Sequence, residues 1–235
     1  MGIFVNALSI VSGSFFGDIF GGRIKLKNLT VLSISIMIIS LVGFLENVFD
    51  VSGIALKSNE LLVIVFSLII GTTLGDALQL ETRLSNLSSY SKGEVSVFID
   101  SAVFFGIGGL QICGPLMLAI SGDNSQLILK SMIDFPFAIM FGISYGKKTA
   151  FSAIPVAIIQ ILIAALAMVF GQFLDASVIR QLCAMGYIIL FFSGLNLMNK
   201  TKINNVNMIL GIFMILLYHI ILQLLRCMSD DHPTV

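Results

Sequence analysis

One short segment of the chain combines a carboxylate, an ammonium group and a proline inside an apolar run. Asp134 stands in "KSMIDFPFAIMF", with Lys130 four residues before it and Pro136 two residues after it. Proline removes a backbone donor, so we expect Pro136 to break the helix and leave carbonyl oxygens unpaired beside Asp134. Oxygen ligands of this kind suit a hard cation. Asp134 is therefore the first candidate for binding an ion or solute; the alternative is a structural acid paired with Lys130 at i,i+4.

A second segment, "FFGIGGLQICGP" (104–115), is rich in glycine and carries one amide, Gln111. Glycine and proline weaken a helix, and free backbone groups at membrane depth survive only in contact with protein or a watery cavity. The segment predicts a discontinuous helix in which Gln111 and Gly114 line an ion or solute site. The alternative is a kink with close helix packing. Two further polar residues complete the candidate binding set, Asp100 and Gln160.

A repeat relates the first apolar run to the third. Sliding the chain by 58 residues places "SIVSGSFFGDIFGGRIKLKNLT" (9–30) over "SLIIGTTLGDALQLETRLSNLS" (67–88), with seven identical positions. Small residues recur every four positions in both copies and form a stripe on each helix, which lets another backbone approach closely. We therefore expect the two runs to pack tightly, against each other or across a symmetric dimer, through the stripes Ser9, Gly13, Gly17 and Ser67, Gly71, Gly75.

Asp18 and Asp76 follow these stripes at matching positions of the repeat. We expect both to lie just inside a membrane border. One interpretation pairs each with a nearby cation, such as Arg23 or Arg83. The other is an ion or proton site, because ionisable groups within spans are costly.

These residues need a membrane-spanning scaffold. The chain is 57% hydrophobic and 11% charged, with a mean hydropathy of +1.03, whereas about 25% of the residues in a soluble domain are charged. The sequence predicts an all-α polytopic bundle and a single integral membrane domain, 1–235, with a parallel internal repeat and broken helices in spans four and five. Each span needs about 20 apolar residues. Eight runs qualify, roughly 2–22, 29–49, 60–80, 96–121, 127–146, 150–173, 179–199 and 204–226.

The basic residues predict the orientation of the chain. Nine of the thirteen lysines and arginines fall in alternate connections, and the other four fall on the opposite side. The positive-inside rule then places the nine in the cytoplasm and both termini outside.

Other function classes find little support. Net charge is zero, which argues against nucleic acid as a partner. The chain lacks a zinc-protease motif, a phosphate loop and a nucleophile elbow, so we expect neither an enzyme nor a cofactor. Cys113, Cys183 and Cys227 fit neither a disulfide framework nor a zinc site, and we expect them to be small buried apolar residues. Isolated polar groups are expected to make interhelical hydrogen bonds: Asn6, Glu46, Asn196 and His219.

The segment "KSMIDFPFAIMFGISYGKKTAFSAIPVAIIQ" (130–160) resembles the central signature of the YdfK/YqgA-like family of bacterial membrane proteins, domain-of-unknown-function family 554. Lys130, Ser131, Asp134 and Gln160 match its pattern. The segments "NALSIVSGSFFGD" and "FGIGGLQICGPLMLAISGD" resemble its first span and its Gly-rich fourth span, and "FFSGLNLMN" (191–199) resembles its Gly-Leu-Asn segment, so the similarity covers nearly the whole chain.

The chain departs from that family at two places. Asp76 stands where the family usually has Glu, which keeps the charge. Met117 and Leu118 stand where the family often has an acid in span four. The resemblance implies a bacterial plasma-membrane protein and supplies no function.

Two functional hypotheses remain. The first is a small multispan transporter or channel, with the lipid bilayer, a second copy of the chain and a small cation or solute as expected partners. The alternative is a non-transporting membrane scaffold, sensor or assembly subunit.

Overall fold

The computed structural model describes residues 1–21, 29–50, 55–56, 58–90, 94–106, 109–171, 174–198 and 203–230. These ranges are almost entirely helical. The α-helices are α1 (Gly2–Phe20), α2 (Leu29–Val48), α3 (Ser58–Ala77), α4 (Leu80–Tyr90), α5 (Glu94–Gly106), α6 (Leu110–Ser121), α7 (Ser125–Tyr145), α8 (Ala153–Phe170), α9 (Ala176–Leu197) and α10 (Asn205–Asp230). A 3₁₀ helix, Lys147–Ser152, precedes α8. Two short strands, β1 (Phe49–Asp50) and β2 (Ala55–Leu56), pair antiparallel between α2 and α3.

Seven helices of the described part are long and apolar enough to span a membrane: α1, α2, α3, α7, α8 with its 3₁₀ turn, α9 and α10. The shorter α5 and α6 qualify only as a pair, as an eighth candidate span, and their axes differ by 55°. Large apolar side chains such as Met132, Phe66 and Ile158 point outward, as a surface in contact with lipid requires. The prediction of a helical bundle with about eight spans is confirmed.

The helix ends fall on two sides. The Gly2 N–H donates to Asn124 Oδ1 at 2.9 Å, which places the start of α1 beside the turn from α6 to α7. Arg180, at the start of α9, forms an ion pair with Glu60, at the start of α3, at 2.6 Å. We call this the N-terminal side. The opposite side carries α4 and the 3₁₀ helix, and we call it the α4 side.

The glycine stripe of α1 packs on α7. A Cβ atom added to Gly13 would lie 2.7 Å from Ala138 Cβ, and one added to Gly17 would lie 2.2 Å from the Ile139 carbonyl oxygen. Contacts advance along both helices in the same direction, so α1 and α7 run parallel. Ser9 is half-buried at the edge of this contact, where its hydroxyl donates to the Asn6 carbonyl at 2.8 Å.

The stripe of α3 packs on α10 instead. A Cβ atom added to Gly71 would lie 2.2 Å from the Gly211 nitrogen, and Gly75 meets Asn207 in the same way. Ser67 is buried in this contact. The prediction that spans one and three pack against each other is therefore wrong. Small residues do permit close approach, but each stripe is covered by a different helix of the same chain and is not free to meet a second copy.

Pro136 does not break the fifth span. The helix α7 runs uninterrupted from Ser125 to Tyr145 with Pro136 inside it, so the predicted break is wrong. Pro136 cannot donate to the carbonyl of Met132, but proline is tolerated within spanning helices because the surrounding bundle compensates for one lost bond.

Two cysteines also differ from expectation. Cys113 of α6 and Cys183 of α9 form a disulfide, with their Cα atoms 5.1 Å apart. Directly beside it Gly109 packs on Gly186, where an added Cβ would lie 1.8 Å from the Gly186 carbonyl. The close backbone crossing brings the two thiols together, although they are 70 residues apart in sequence.

Candidate functional site

A buried ion pair lies in the middle of α7. Lys130 Nζ is 2.8 Å from Asp134 Oδ2, and the side chains are only 5% and 7% exposed. One helical turn separates the two residues, which puts both on the same face. The Lys130 ammonium also donates to the Phe105 carbonyl at 3.0 Å. Phe105 is the penultimate residue of α5, so its carbonyl belongs to the last turn, where a helix leaves acceptors unused.

Asn6 lies beside this pair, on α1. It is fully buried and its side chain is close enough to interact with the Asp134 carboxylate. Within the described part of the chain, neither amide atom of Asn6 has a hydrogen-bond partner. The Asn6 amide thus lies next to the Asp134 carboxylate of α7 but outside good hydrogen-bonding geometry, which is unusual for a buried amide.

A cavity of about 360 Å³ leads from the ion pair toward the α4 side. Its inner wall holds Lys130, Asp134 and Phe105, which are all buried. Its outer wall includes Asn205, at the start of α10, and Glu81, in the first turn of α4; both are partly exposed. The polar residues of the lining form a path from one face of the protein to the centre of α7: Glu81, Asn205, Asn196, Ser193, Lys130 and Asp134.

The rim of the cavity is held by amide side chains. Asn205 donates to Ser193 Oγ at 2.7 Å, and Asn196 donates to the Ile203 carbonyl at 2.6 Å. These bonds fix the end of α9 to the segment that begins α10. The polar groups of the rim are therefore positioned by the backbone of two helices.

Gln111 and Gln160 form a separate polar contact. Gln160 Nε2 donates to Gln111 Oε1 at 3.0 Å, and Gln111 Nε2 donates to the Val156 carbonyl at the same distance. Both side chains are fully buried and neither lines the cavity. The structure thus places them between α6 and α8, where they hold the two helices together.

The remaining candidates lie apart from the ion pair. Gly114 packs on Leu127: a Cβ atom added to Gly114 would lie 2.8 Å from the Leu127 side chain. Asp100 belongs to α5, but its side chain lies outside the described part of the chain. Asp18 is exposed and lies against Gly146.

Asp76 is fixed by an amide and not by the predicted arginine. Its carboxylate accepts from Asn207 Nδ2, while Asn207 Oδ1 accepts from the Glu81 backbone N–H at 3.3 Å. The buried Asn207 thereby joins the end of α3, the start of α4 and the first turn of α10. This arrangement positions Glu81 at the mouth of the cavity.

Sequence reasoning found Asp134 and its neighbour Lys130 but not the rest of the cavity. Glu81, Ser193 and Asn205 come from three different helices, and no local pattern marks them. A signal existed for Asn6, which shares the helix face of Gly13 and Gly17 and therefore had to point at a neighbouring helix.

Comparison with known proteins places the chain among uncharacterised membrane proteins. The family described as "Protein of unknown function (DUF554)" matches residues 1–220. The "Uncharacterized membrane protein YdfK" of Bacillus subtilis (strain 168) is 27% identical over 213 residues, which cover 88% of this chain and 90% of YdfK. The "Uncharacterized protein YqgA" of Escherichia coli (strain K12) is 26% identical over 224 residues, which cover 89% of this chain and 92% of YqgA. No solved structure matches the chain.

Proposed function

The chain belongs to the DUF554 family of unknown function, and we propose that this membrane protein is a small transporter that carries an ion or small solute past Lys130 and Asp134. The observation that carries the proposal is the position of this buried ion pair at the inner end of the cavity.

The energetics of the pair favour a functional role. Removing two charges from water costs several kcal/mol per ion in proteins, and well-packed apolar residues often stabilise a fold as well or better. Ionisable residues in spanning helices usually face a cavity or a partner and mark a route for ions or substrates. Lys130 and Asp134 meet both conditions, since each contacts the other and both line the cavity.

The depth of the pair also suits transport. Asp134 is the tenth of the 21 residues of α7, so it lies near the centre of its span. Beside it, the end of α5 provides the Phe105 carbonyl. Transporters commonly bind their substrates near the midplane, next to helices that end inside the membrane.

The proposal includes an orientation in the bacterial plasma membrane. The excess of lysine and arginine on the α4 side favours the cytoplasm for that side. The disulfide supports the same orientation, because Cys183 is one turn from Arg180 on the N-terminal side and disulfides persist in oxidising compartments. The cavity would then open toward the cytoplasm.

The test is flux in proteoliposomes with a panel of inorganic ions and small polar solutes. Val206 lines the cavity, and Val206→Phe should narrow it and lower flux at least tenfold. The matched control is Val31→Phe, at a position that is 61% exposed on the lipid-facing surface, which should keep wild-type flux. Flux that is unchanged in Val206→Phe, or absent across the panel for the wild type, would contradict the proposal and favour a scaffold, sensor or assembly subunit.

A further inference from the structure

A second cavity, of about 290 Å³, lies on the N-terminal side of the ion pair. Glu46 of α2 stands at its exposed edge. Ser125 and Gln126 contribute from the first turn of α7, and Tyr187 contributes from α9. The second cavity therefore uses α2, α7 and α9, which also contribute to the wall of the first cavity.

The two cavities follow each other along the same groove. On α7, Leu129 lines the second cavity and Lys130 lines the first. On α9, Tyr187 lines the second and Leu190, one turn later, lines the first. A helix advances 5.4 Å per turn, so about one layer of side chains separates the two spaces.

Tyr187 and Gln126 form the polar part of this layer. The Tyr187 side chain is 3% exposed, and its hydroxyl bonds to Gln126 Oε1. This hydrogen bond bridges α9 and α7 across the groove. Among the described residues of α9, Tyr187 is the last to line the second cavity before the first cavity begins at Leu190.

The charges along the groove favour a cation. Glu46 stands at one mouth, Glu81 at the other and Asp134 between them, while Lys130 is the one cationic side chain that lines either cavity within the described residues. Because Lys130 is neutralised by Asp134, the lining keeps a net negative charge. Low-dielectric walls focus the field of such a lining and raise the local concentration of cations.

The Lys130 ammonium itself occupies a site built from oxygen atoms. Asp134 Oδ2 and the Phe105 carbonyl both face it, at 2.8 and 3.0 Å. The buried Asn6 amide beside Asp134 has an oxygen without a hydrogen-bond partner. A carboxylate, a carbonyl and an amide oxygen are the ligands a small cation takes from a protein.

Because Asp134 balances the single charge of the Lys130 ammonium, we infer that the transported species is a small monovalent cation, either a metal ion or a protonated amine. It displaces the Lys130 ammonium from Asp134 as it crosses between α2, α7 and α9. Tyr187 closes this route on the N-terminal side. The inference rests on the proposed transport function and gives its substrate class.

Flux in proteoliposomes tests the substrate class. Na⁺, K⁺ and methylammonium are compared with chloride, acetate and glycerol, under an imposed membrane potential. Flux of at least one of the cations, lost at least tenfold in Asp134→Asn, is expected, and the responding cation separates a metal ion from an amine. If Asp134→Asn does not fold, Val206→Phe is used in its place and should show the same loss of cation flux. Flux confined to anions or glycerol would overturn the cation inference and leave the transport proposal standing; the absence of all flux would overturn both.

Thiol labelling tests the route independently of flux. Ser193→Cys in a Cys227→Ser background should react with a membrane-impermeant reagent from the α4 side only. Adding Tyr187→Ala should allow reaction from both sides. Ala164→Cys, buried on α8 away from both cavities, is the control that should not react. If Ser193→Cys is labelled from the N-terminal side to the same extent with and without Tyr187→Ala, then Tyr187 does not close the route.

Discussion

Lys130 Nζ lies 2.8 Å from Asp134 Oδ2, one turn apart on α7, and water barely reaches either side chain. The pair is held from outside α7 by the Phe105 carbonyl and bordered by the buried Asn6. Because the attraction between the two charges offsets the cost of burying them, the fold tolerates the pair but does not tolerate either charge alone.

Removing one partner should therefore destabilise the protein strongly. Asp134→Asn leaves an ammonium buried without its carboxylate, and the expected loss is about 3–5 kcal/mol of unfolding free energy. Replacing both residues, as in Lys130→Met with Asp134→Leu, removes both buried charges and should recover most of that loss. The measurement is a double-mutant cycle by thermal unfolding in detergent.

Additive effects in that cycle would contradict the prediction. Asp18→Asn is the matched control, because Asp18 is exposed at the end of α1 and should change stability little. The double variant should fold yet lose flux, which separates the structural role of the pair from its proposed role in transport.

The sequence could predict the spans because lipid imposes a length and a composition on each of them. It could not predict which helices meet. The stripe of Gly13 and Gly17 requires a close neighbour but does not specify it, and the small residues Ala138 and Gly142 of α7 are the ones it meets. Asp134 was visible because a charge in an apolar run is conspicuous.

The cavity around Asp134 was not visible in the sequence. Its rim is made by Ser193 and Asn205, two ordinary polar residues near helix ends that become neighbours only through the packing of α9 on α10. The break predicted at Pro136 failed for a related reason. Local propensity argues against proline in a helix, but α7 lies in a bundle that keeps it helical.

A methyl group added at the crossing of α3 and α10 should destabilise the bundle. Gly71→Ala would place its Cβ 2.2 Å from the Gly211 nitrogen, and backbone atoms can only yield if the helices separate. Overpacking of this kind costs about 1–3 kcal/mol. Gly106→Ala is the control, because its nearest neighbour, Ile159 Cδ1, is 3.9 Å away. Equal melting temperatures for the two variants would contradict the close crossing.

The disulfide between Cys113 and Cys183 determines how many cysteine thiols can be alkylated before reduction. Under denaturing but non-reducing conditions, alkylation followed by mass spectrometry should modify Cys227 alone, and after reduction it should modify all three cysteines. Cys113→Ser with Cys183→Ser should lower the unfolding free energy by about 2–4 kcal/mol, because the link closes a long loop. Cys227→Ser is the control and should leave the melting temperature unchanged. Modification of three cysteines before reduction would show that the bond does not form.

Glu81 and Asp123 should give stability effects of opposite sign. Partial burial, and then the charge of Asp76, raise the pKa of Glu81 above its ordinary value of 4.5. As the pH rises through 4.5, the unfolded chain ionises at Glu81 while the folded protein still holds the proton, so the fold loses stability until its own pKa is passed. Glu81→Gln should therefore melt at a higher temperature than the wild type at neutral pH, and the difference should vanish below pH 4.5.

Asp123 is the matched comparison at the turn before α7. Hydrogen bonds from the Ser125 hydroxyl and then from its backbone N–H hold the pKa of Asp123 below 3.8. A depressed folded pKa stabilises the protein above pH 3.8, and that stability is lost as the pH falls through the folded pKa. Asp123→Asn should therefore lower the melting temperature at neutral pH, where Glu81→Gln raises it. Melting curves of both variants between pH 3 and 8 check the two signs together. A lower melting temperature for Glu81→Gln would contradict the placement of Glu81 at the cavity mouth beside Asp76, and a higher one for Asp123→Asn would contradict the hydrogen bonds from Ser125.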